Sequence, residues 1–329
     1  MIEKVNPAHP DKIADRIAGA IVDLAYKTSE NARIAAEVLI GHGLCQIIAE
    51  TNVSIPDSDV KQAVERIAGK NIITNYKQVK QDIHLATNQA KGVKCGDNGI
   101  FVGLYDREFQ QINCDAKWLW EKYKTDGKMI EYTDELGKII TIICQSHATT
   151  DDIMSYVSKP TPYREWQVNP LGDWTGGTDV DTGATNRKLG SDLGKAVTGG
   201  GLHGKDLTKA DVSATIYANV LAMKTGRRVE IVCAIGDENL TVHLIPTQEE
   251  YASAEQNNLP KPQTLFTTVP FKEAVKVAGE FIQKLGGFEK LAEWGLSVPQ
   301  DKWKEFYGEG AMCDMNDYIR EHGDFVFIL

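Results

Sequence analysis

Apolar residues recur along the chain at two periods. Ile13, Ile17, Ile21 and Leu24 stand at helical spacing, so residues 11–27 are predicted to form a helix with one buried face. Pro10 sits at its entry, where a missing N–H does no harm. Two strand-like runs follow, ARIAAEVLI and LCQIIAET, divided by Gly41-His42-Gly43. PDSD then opens a predicted second helix over 57–69.

The same plan returns over 208–246. Thr208 is expected to cap a helix, with Asp211 three residues later as an acidic form of the capping box. Val212, Ile216 and Val220 would be its buried face, and RRVEIVCAIG and LTVHLIPT would be its strands. Even the joints agree: KTSENARI follows the first helix and KTGRRVEI the second. A middle copy is expected from KIITIICQS (138–146) into a helix near 149–158. Repeated helix-and-sheet units, with helices over one face of each sheet, define an α+β fold.

Residues 160–207 break the pattern. They are poor in large apolar residues and rich in Gly, Thr and Asp, yet they hold Trp174, Arg187 and Lys188. A featureless loop of that length inside a compact chain is uncommon, so a functional loop is the preferred reading over a linker. It runs into GGGLHGKDLTKAD (199–211), where glycines and charges of both signs crowd together. Lys205 and Lys209 are four apart and would face the same way on a helix start. Such a stretch suits an anion.

Composition narrows the partners. A 329-residue chain exceeds the usual size of one core, so two or three domains are expected. A formal net charge of −10 disfavours a general nucleic-acid or anionic-membrane surface, and any anion site must be a local basic cluster. No apolar run reaches membrane-spanning length, and MIEKVNPAHPDK does not read as a signal peptide. The six cysteines form no CxxC pair and the seven histidines no HExxH, so a disulfide framework or zinc site has little support; a reducing cytoplasm is the expected compartment.

Gly199 to Lys205 satisfies the GxxxxGK core of a P-loop. The next residue should be Ser or Thr but is Asp206, and KLGSDLGKAVT is not a buried strand. A true P-loop is therefore rejected. Its physical logic survives, because glycines still allow backbone N–H groups to approach phosphate oxygens.

Further charged signatures lie far apart: HPDKIAD (9–15), GDNG (96–99), DGK (126–128) and NRK (186–188). Singly each has an ordinary explanation, such as dipole compensation by Asp11 or a tight turn. In their order they resemble the S-adenosylmethionine synthetase family. HPDKIAD before a helix resembles its N-terminal signature. GDNGIFVGL resembles its GDQG-type loop, NPLGDWTGGTDVDTGATNRK its adenine and phosphate loop, and GGGLHGKDLTKAD its glycine-rich motif. The resemblance extends from about residue 6 to residue 246. The chain departs from the family at Asn98 (usually Gln), Asp173 (usually Arg) and Asn186 (usually Gly). It is shorter between Asp106 and Asp126, and it loses the pattern after residue 250.

The resemblance implies three repeated helix-and-sheet domains in a pseudo-threefold arrangement, here placed at 1–91, 92–173 and 174–329. It implies the joining of ATP to L-methionine: sulfur attacks C5′, triphosphate leaves, and triphosphate is hydrolysed to pyrophosphate and phosphate. Charge on the departing triphosphate calls for fixed cations and metal. The matching cations are Lys128, Arg187, Lys188, Lys205 and Lys209. Asp11 and Asp211 match ligands for two Mg²⁺ ions, and Glu37 matches a carboxylate near a K⁺ site. His9 would hydrogen-bond at the ribose O5′–phosphate bridge, Trp174 stack on adenine, Asp126 face the ribose and Asp181 join the ATP contacts. Glu50, Gln89, Asp181 and Lys209 match methionine contacts, and Asp97 would face the developing sulfonium. The family pattern further implies a homodimer with shared sites, which can pair into a dimer of dimers. In that dimer Glu50, Gln89 and Asp97 of one chain are expected to face Arg187, Lys188, Lys205 and Lys209 of the other. A different ATP-dependent phosphotransferase and a catalytically silent nucleotide-binding relative remain as alternatives.

Overall fold

The computed structural model of the chain describes residues 1–84, 87, 93–96, 98–155, 163–196 and 200–308, with the side chain of Arg107 excepted. Three four-stranded sheets organise it, each built around a hairpin preceded by a helix. The first unit has helix α1 (Pro10–Thr28) and strands β2 (Ile34–Gly41) and β3 (Leu44–Thr51). It continues into α2 (Asp57–Ala68) and β4 (Ile73–Lys80), which runs parallel to β3. The second has α3 (Arg107–Tyr123), β6 (Gly127–Thr133), β7 (Ile139–Gln145), α4 (Thr150–Met154) and β8 (Arg164–Val168). After α5 (Leu189–Leu193), the third has α6 (Ala210–Thr225), β10 (Arg228–Cys233), β11 (Asn239–Ile245), α7 (Gln248–Gln256) and β12 (Leu265–Pro270).

The fourth strand of each sheet comes from elsewhere in the chain. β1 (Ile2–Val5) lies against β6, β5 (Gly99–Gly103) against β10, and β9 (Gly183–Ala184) against β2. The sheets therefore do not follow the intervals 1–91, 92–173 and 174–329 strand for strand; as a partition of the chain those intervals stay a proposal.

The middle repeat begins earlier than its sequence reading. The helix equivalent to α1 and α6 is α3, whereas the expected helix near 149–158 corresponds to α4, equivalent to α2, with residues 156–158 outside the described ones. Phe109, Ile112, Ala116 and Leu119 supply the buried stripe of α3 over β6 and β7. The expected Thr208 cap also differs. Helix α6 starts at Ala210 with Lys209 at its N-cap, and the Thr208 hydroxyl donates to Asp206 instead. Lys205 thus precedes the helix and does not share a helical face with Lys209.

Alternation builds the sheets. β3 buries Cys45, Ile47, Ala49 and Thr51 and exposes Leu44, Gln46, Ile48 and Glu50. α1 covers the buried face with Ile13, Ile17 and Ile21. α6 is buried nearly all round, as its apolar sequence requires: Val212, Ile216 and Val220 enter the first core, and Ala214, Tyr217 and Leu221 enter that of the third sheet.

The residues after 250 wrap these helices. α8 (Phe271–Leu285) packs on α6, and α9 (Phe288–Trp294) on α1. Asp23 accepts the N–H groups of Phe288 and Glu289 at 2.8 and 3.0 Å, closing the first turn of α9. At Gly19 a Cβ would meet the Phe288 carbonyl at 2.6 Å, so only glycine admits this crossing. Among the described residues no helix is long and apolar enough to cross a membrane.

Candidate active site

The start of α1 gathers most of the charged signatures. His9 is its N-cap, and Nδ1 accepts the Asp11 N–H at 3.2 Å. Nδ1 is thereby the acceptor, so in the neutral ring the proton sits on Nε2. Burial, then the Lys188 and Lys128 charges, outweigh the nearby aspartates and lower His9 to about 4, so the ring is neutral at pH 7. β9 closes over the turn. At Gly183 a Cβ would lie 2.0 Å from the Pro10 carbonyl oxygen, and the Ala184 N–H donates to Asp11 Oδ1 at 2.9 Å.

Cations ring this carboxylate. Arg187 and Lys188 each stand 3.7 Å from Asp11. Lys188 is also 3.7 Å from Glu3, which Lys128 approaches to 2.6 Å. Burial alone would raise Glu3, but Lys128 and then Lys188 hold it below its ordinary range. Arg187 keeps 59% of its side chain exposed, leaving its fork open to a ligand.

Asp126 lies alongside, buried. Its Oδ2 accepts the Gly177 N–H at 2.9 Å, and Oδ1 is buried with no donor among the described residues. Burial, with Asp181 and Asp11 nearby, raises it to about 6 against the Gly177 hydrogen bond. Trp174 stands over the same strand end. At Gly176 a Cβ would meet both the Trp174 ring and Asp126 Oδ2 at 2.6 Å. The indole N–H donates to Asn169 Oδ1 at 3.2 Å, fixing the ring's orientation. Asp181 is exposed on the loop beside Gly41.

A second cluster occupies the open face of the first sheet. Lys205 bridges Ala35, which pairs with Glu50 on β3. Residues in register share a face, so Lys205, Ala35 and Glu50 form one row beside the exposed Glu37. Thr185 donates to Glu37, and Lys205 pairs with Asp211. Asp211 is buried; its Oδ1 has no donor among the described residues, and Gly200 packs against it so closely that a Cβ would come within 2.7 Å. A buried carboxylate oxygen without a donor, beside closely packed glycine backbone, fits a hard cation. Asp11, with one oxygen held by Ala184 and cations at 3.7 Å, fits a metal shared with phosphate oxygens.

A third group of ligand types, Asp15, Asp192 and His203, converges fully buried. The Lys12 ammonium already serves it, 2.6 Å from Asp192 and 3.1 Å from Asp15. Those carboxylates overcome the burial cost and raise Lys12 above its ordinary value. This cluster is the internal anchor of the loops rather than a metal centre.

His9, Asp11, Asp126, Lys128, Asp181, Arg187 and Lys188 thus come together with Trp174. Glu37, Glu50 and Lys205 form a second group on the open face of the first sheet, with Asp211 paired to Lys205. The register sets Lys205 and Glu50 on one face of one chain, and their expected opposition across a dimer stays a proposal. Lys209 is half-buried at the α6 N-cap. Gln89, Asp97 and Gly199 lie outside the described residues. Glu3 was not foreseen; its signal is register, since β1 pairs Val5 with Lys128 and brings Glu3 diagonally beside that lysine.

Residues 1–91 match the family model "S-adenosylmethionine synthetase, N-terminal domain". The S-adenosylmethionine synthase of Cereibacter sphaeroides is 30% identical over 67% of this chain and 71% of its own length. That of Roseobacter denitrificans is 31% identical over 67% and 71%. An unusual S-adenosylmethionine synthetase from Campylobacter jejuni superposes with a TM-score of 0.67 at 18% identity, covering 94% of this chain and 98% of that one, which establishes the shared fold.

Proposed function

Because the chain belongs to the S-adenosylmethionine synthetase family, we propose that it makes S-adenosylmethionine from ATP and L-methionine and hydrolyses the released triphosphate to pyrophosphate and phosphate. The observation that carries this reading is the convergence of Lys128, Arg187 and Lys188 on Asp11 and Glu3 beside the neutral His9. Three cations on rigid strand and loop positions meet the negative charge that grows on a departing triphosphate without solvent reorganisation. The N-terminus of α1 adds its own positive potential.

His9 donates from Nε2 toward the ribose O5′–phosphate bridge as charge develops there. Trp174 offers an aromatic face for adenine and Asp126 an acceptor for the ribose. Asp181, on the loop between them, reaches ATP or the methionine amino group. Asp11 and Asp211 are the residues to hold Mg²⁺, two ions per site; bound, the metal supplies further neutralisation of the phosphates. Glu37 is the residue to hold K⁺. For methionine, Glu50, Gln89 and Lys209 are the contacts, and Asp97 faces the sulfonium. The sulfur needs little activation, being a neutral nucleophile.

Each chain carries two half-sites, and the proposal completes each with the other half from a partner. Leu39, Leu44 and Ile48 lie exposed on the open face that bears Glu37, Glu50 and Lys205. Packing that face against its own copy across a two-fold axis buries them and delivers Lys205 and Asp211 to the partner's α1 pocket. A homodimer, able to pair further, is the expected assembly.

The test is incubation with ATP, methionine, Mg²⁺ and K⁺, followed by mass spectrometry. S-adenosylmethionine with pyrophosphate and phosphate is the expected outcome. ADP as product would replace this reading with a phosphotransferase.

A further inference from the structure

Asn186 stands immediately before the cations Arg187 and Lys188, in a left-handed backbone conformation with φ of 63°. Its backbone N–H donates to Asp15 Oδ1 at 2.7 Å. Its side-chain amide grips a different loop: Oδ1 accepts the His203 N–H at 2.8 Å and Nδ2 donates to the His203 carbonyl at 3.2 Å. One amide therefore pairs with both backbone groups of one residue, a two-point clasp. Gly201 makes room for it, since a Cβ there would come within 2.4 Å of Asn186 Nδ2.

Both ends of the clasp are tied to the same buried anchor. Asp15 belongs to the Lys12 cluster, and the His203 ring meets Asp192 at 2.8 Å. The loop carrying Arg187 and Lys188 and the loop carrying Lys205, two residues beyond His203, are thus referenced to one point inside the protein. Each of the two loops carries one of the two cation groups.

We propose that Asn186 is a positioning residue that sets the Arg187–Lys188 pair against the glycine-rich 200–206 loop, and so tunes the grip on polyphosphate without touching it. The inference rests on the polyphosphate reading of those cations. Displacing a phosphate cation by a fraction of an ångström weakens electrostatic stabilisation while leaving the methionine contacts unaffected.

The experiment compares wild type with Asn186→Gly, Asn186→Asp, Gly201→Ala and the double variant Asn186→Gly/Gly201→Ala. Glycine keeps the left-handed backbone, so Asn186→Gly removes only the clasp. Calorimetry with inorganic tripolyphosphate and Mg²⁺ should show affinity weakened about tenfold, with kcat falling alike and the KM for methionine holding. Hydrogen exchange at the His203 amide should quicken. Gly201→Ala should reproduce these changes by unseating Asn186, and the double variant should be no worse than Asn186→Gly alone. Asn186→Asp, which keeps the acceptor and loses the donor, should fall between. Fast exchange at His203 with unchanged tripolyphosphate affinity would overturn the proposal, as would additive losses in the double variant. If Asn186→Gly does not fold, Asn186→Asp and Gly201→Ala decide the matter alone. Wild type that binds tripolyphosphate but makes no S-adenosylmethionine would refute the reaction and leave the clasp to be judged on binding. Wild type that does not bind tripolyphosphate would refute both.

Discussion

Asp11 and Asp211 occupy one structural position twice, each being the second residue of a repeat helix, in α1 and α6. The third copy has Glu108 there, in α3, where it pairs with Lys195 in solvent. An acid in the first turn favours any helix dipole. In α1 and α6 glycines crowd the turn or the carboxylate itself, at Gly183 and Gly200, whereas the Glu108 side chain stays exposed. The repeat thus supplied an ordinary helix-start acid, and two copies hold theirs buried.

Asp11→Asn and Asp211→Asn should each lower kcat by about a hundredfold or more, because each removes a charge that metal ligation needs. Steady-state rates across a Mg²⁺ titration check this. Either variant turning over at the wild-type rate at limiting Mg²⁺ would disprove its ligand role.

His9 has separable duties. Asn caps helices well, so His9→Asn should retain the melting temperature while kcat falls, whereas His9→Ala should lose both. The pH sign follows from a folded value of about 4 against the ordinary 6.5. The unfolded chain takes up the proton first, so the His9 contribution to stability shrinks as pH drops from 6.5 towards 4, by up to about 3 kcal/mol. Denaturant unfolding at pH 7.5 and pH 4.5 should show a smaller fall for His9→Asn than for wild type.

Asp126 titrates in the opposite sense. Raised from 3.8 to about 6, it is a charge that the fold disfavours above pH 6. Asp126→Asn should therefore stabilise the protein at pH 7.5, by at most about 3 kcal/mol, with the gain vanishing as pH falls through 6 to 3.8. ATP use should suffer in the same variant. A melting temperature lower than wild type at pH 7.5 would contradict the assignment of burial as the dominant cause.

Trp174→Phe should cost little, about 1 kcal/mol, although it deletes the indole hydrogen bond. Asn169 Oδ1 still accepts the Gln145 N–H at 2.9 Å, so no buried acceptor is orphaned. Trp174→Ala should instead raise the KM for ATP strongly, by loss of the aromatic face. Equal damage from the two substitutions would assign the ring a purely packing role.

Mixing Asp11→Asn protein with Lys205→Ala protein tests the shared site. If half-sites join across a two-fold axis, subunit exchange makes one intact site per mixed dimer and activity returns. Exchange verified by mass with no recovered activity would refute the arrangement, as would a fully active monomer in sedimentation.

Local pattern revealed much of the fold and little of the geometry between loops. α1, both outer hairpins and the α6 stripe are written in strict periodicity. Helix α3 carries an equally regular stripe at Phe109, Ile112, Ala116 and Leu119, but Trp118 and Trp120 on its other faces blur the contrast. The motifs point to side chains that the fold gathers at the α1 pocket because each motif is a local backbone requirement. The Glu3–Lys128 pair and the row joining Lys205 to Glu50 depend on strand register, and no local pattern states a register between segments this far apart.

The borrowed strands also govern the order in which the protein can be made. β1 leaves the ribosome long before its partner β6, which begins only at Gly127; the outer edge of β2 stays uncovered until Gly183 and Lys205 are synthesised. A nascent chain must keep these edges from pairing with strangers while it waits. Contacts this distant in sequence slow folding, so the closure that assembles the α1 pocket is a late event, and truncation before residue 183 would yield a chain with open β edges and no completed α1 pocket.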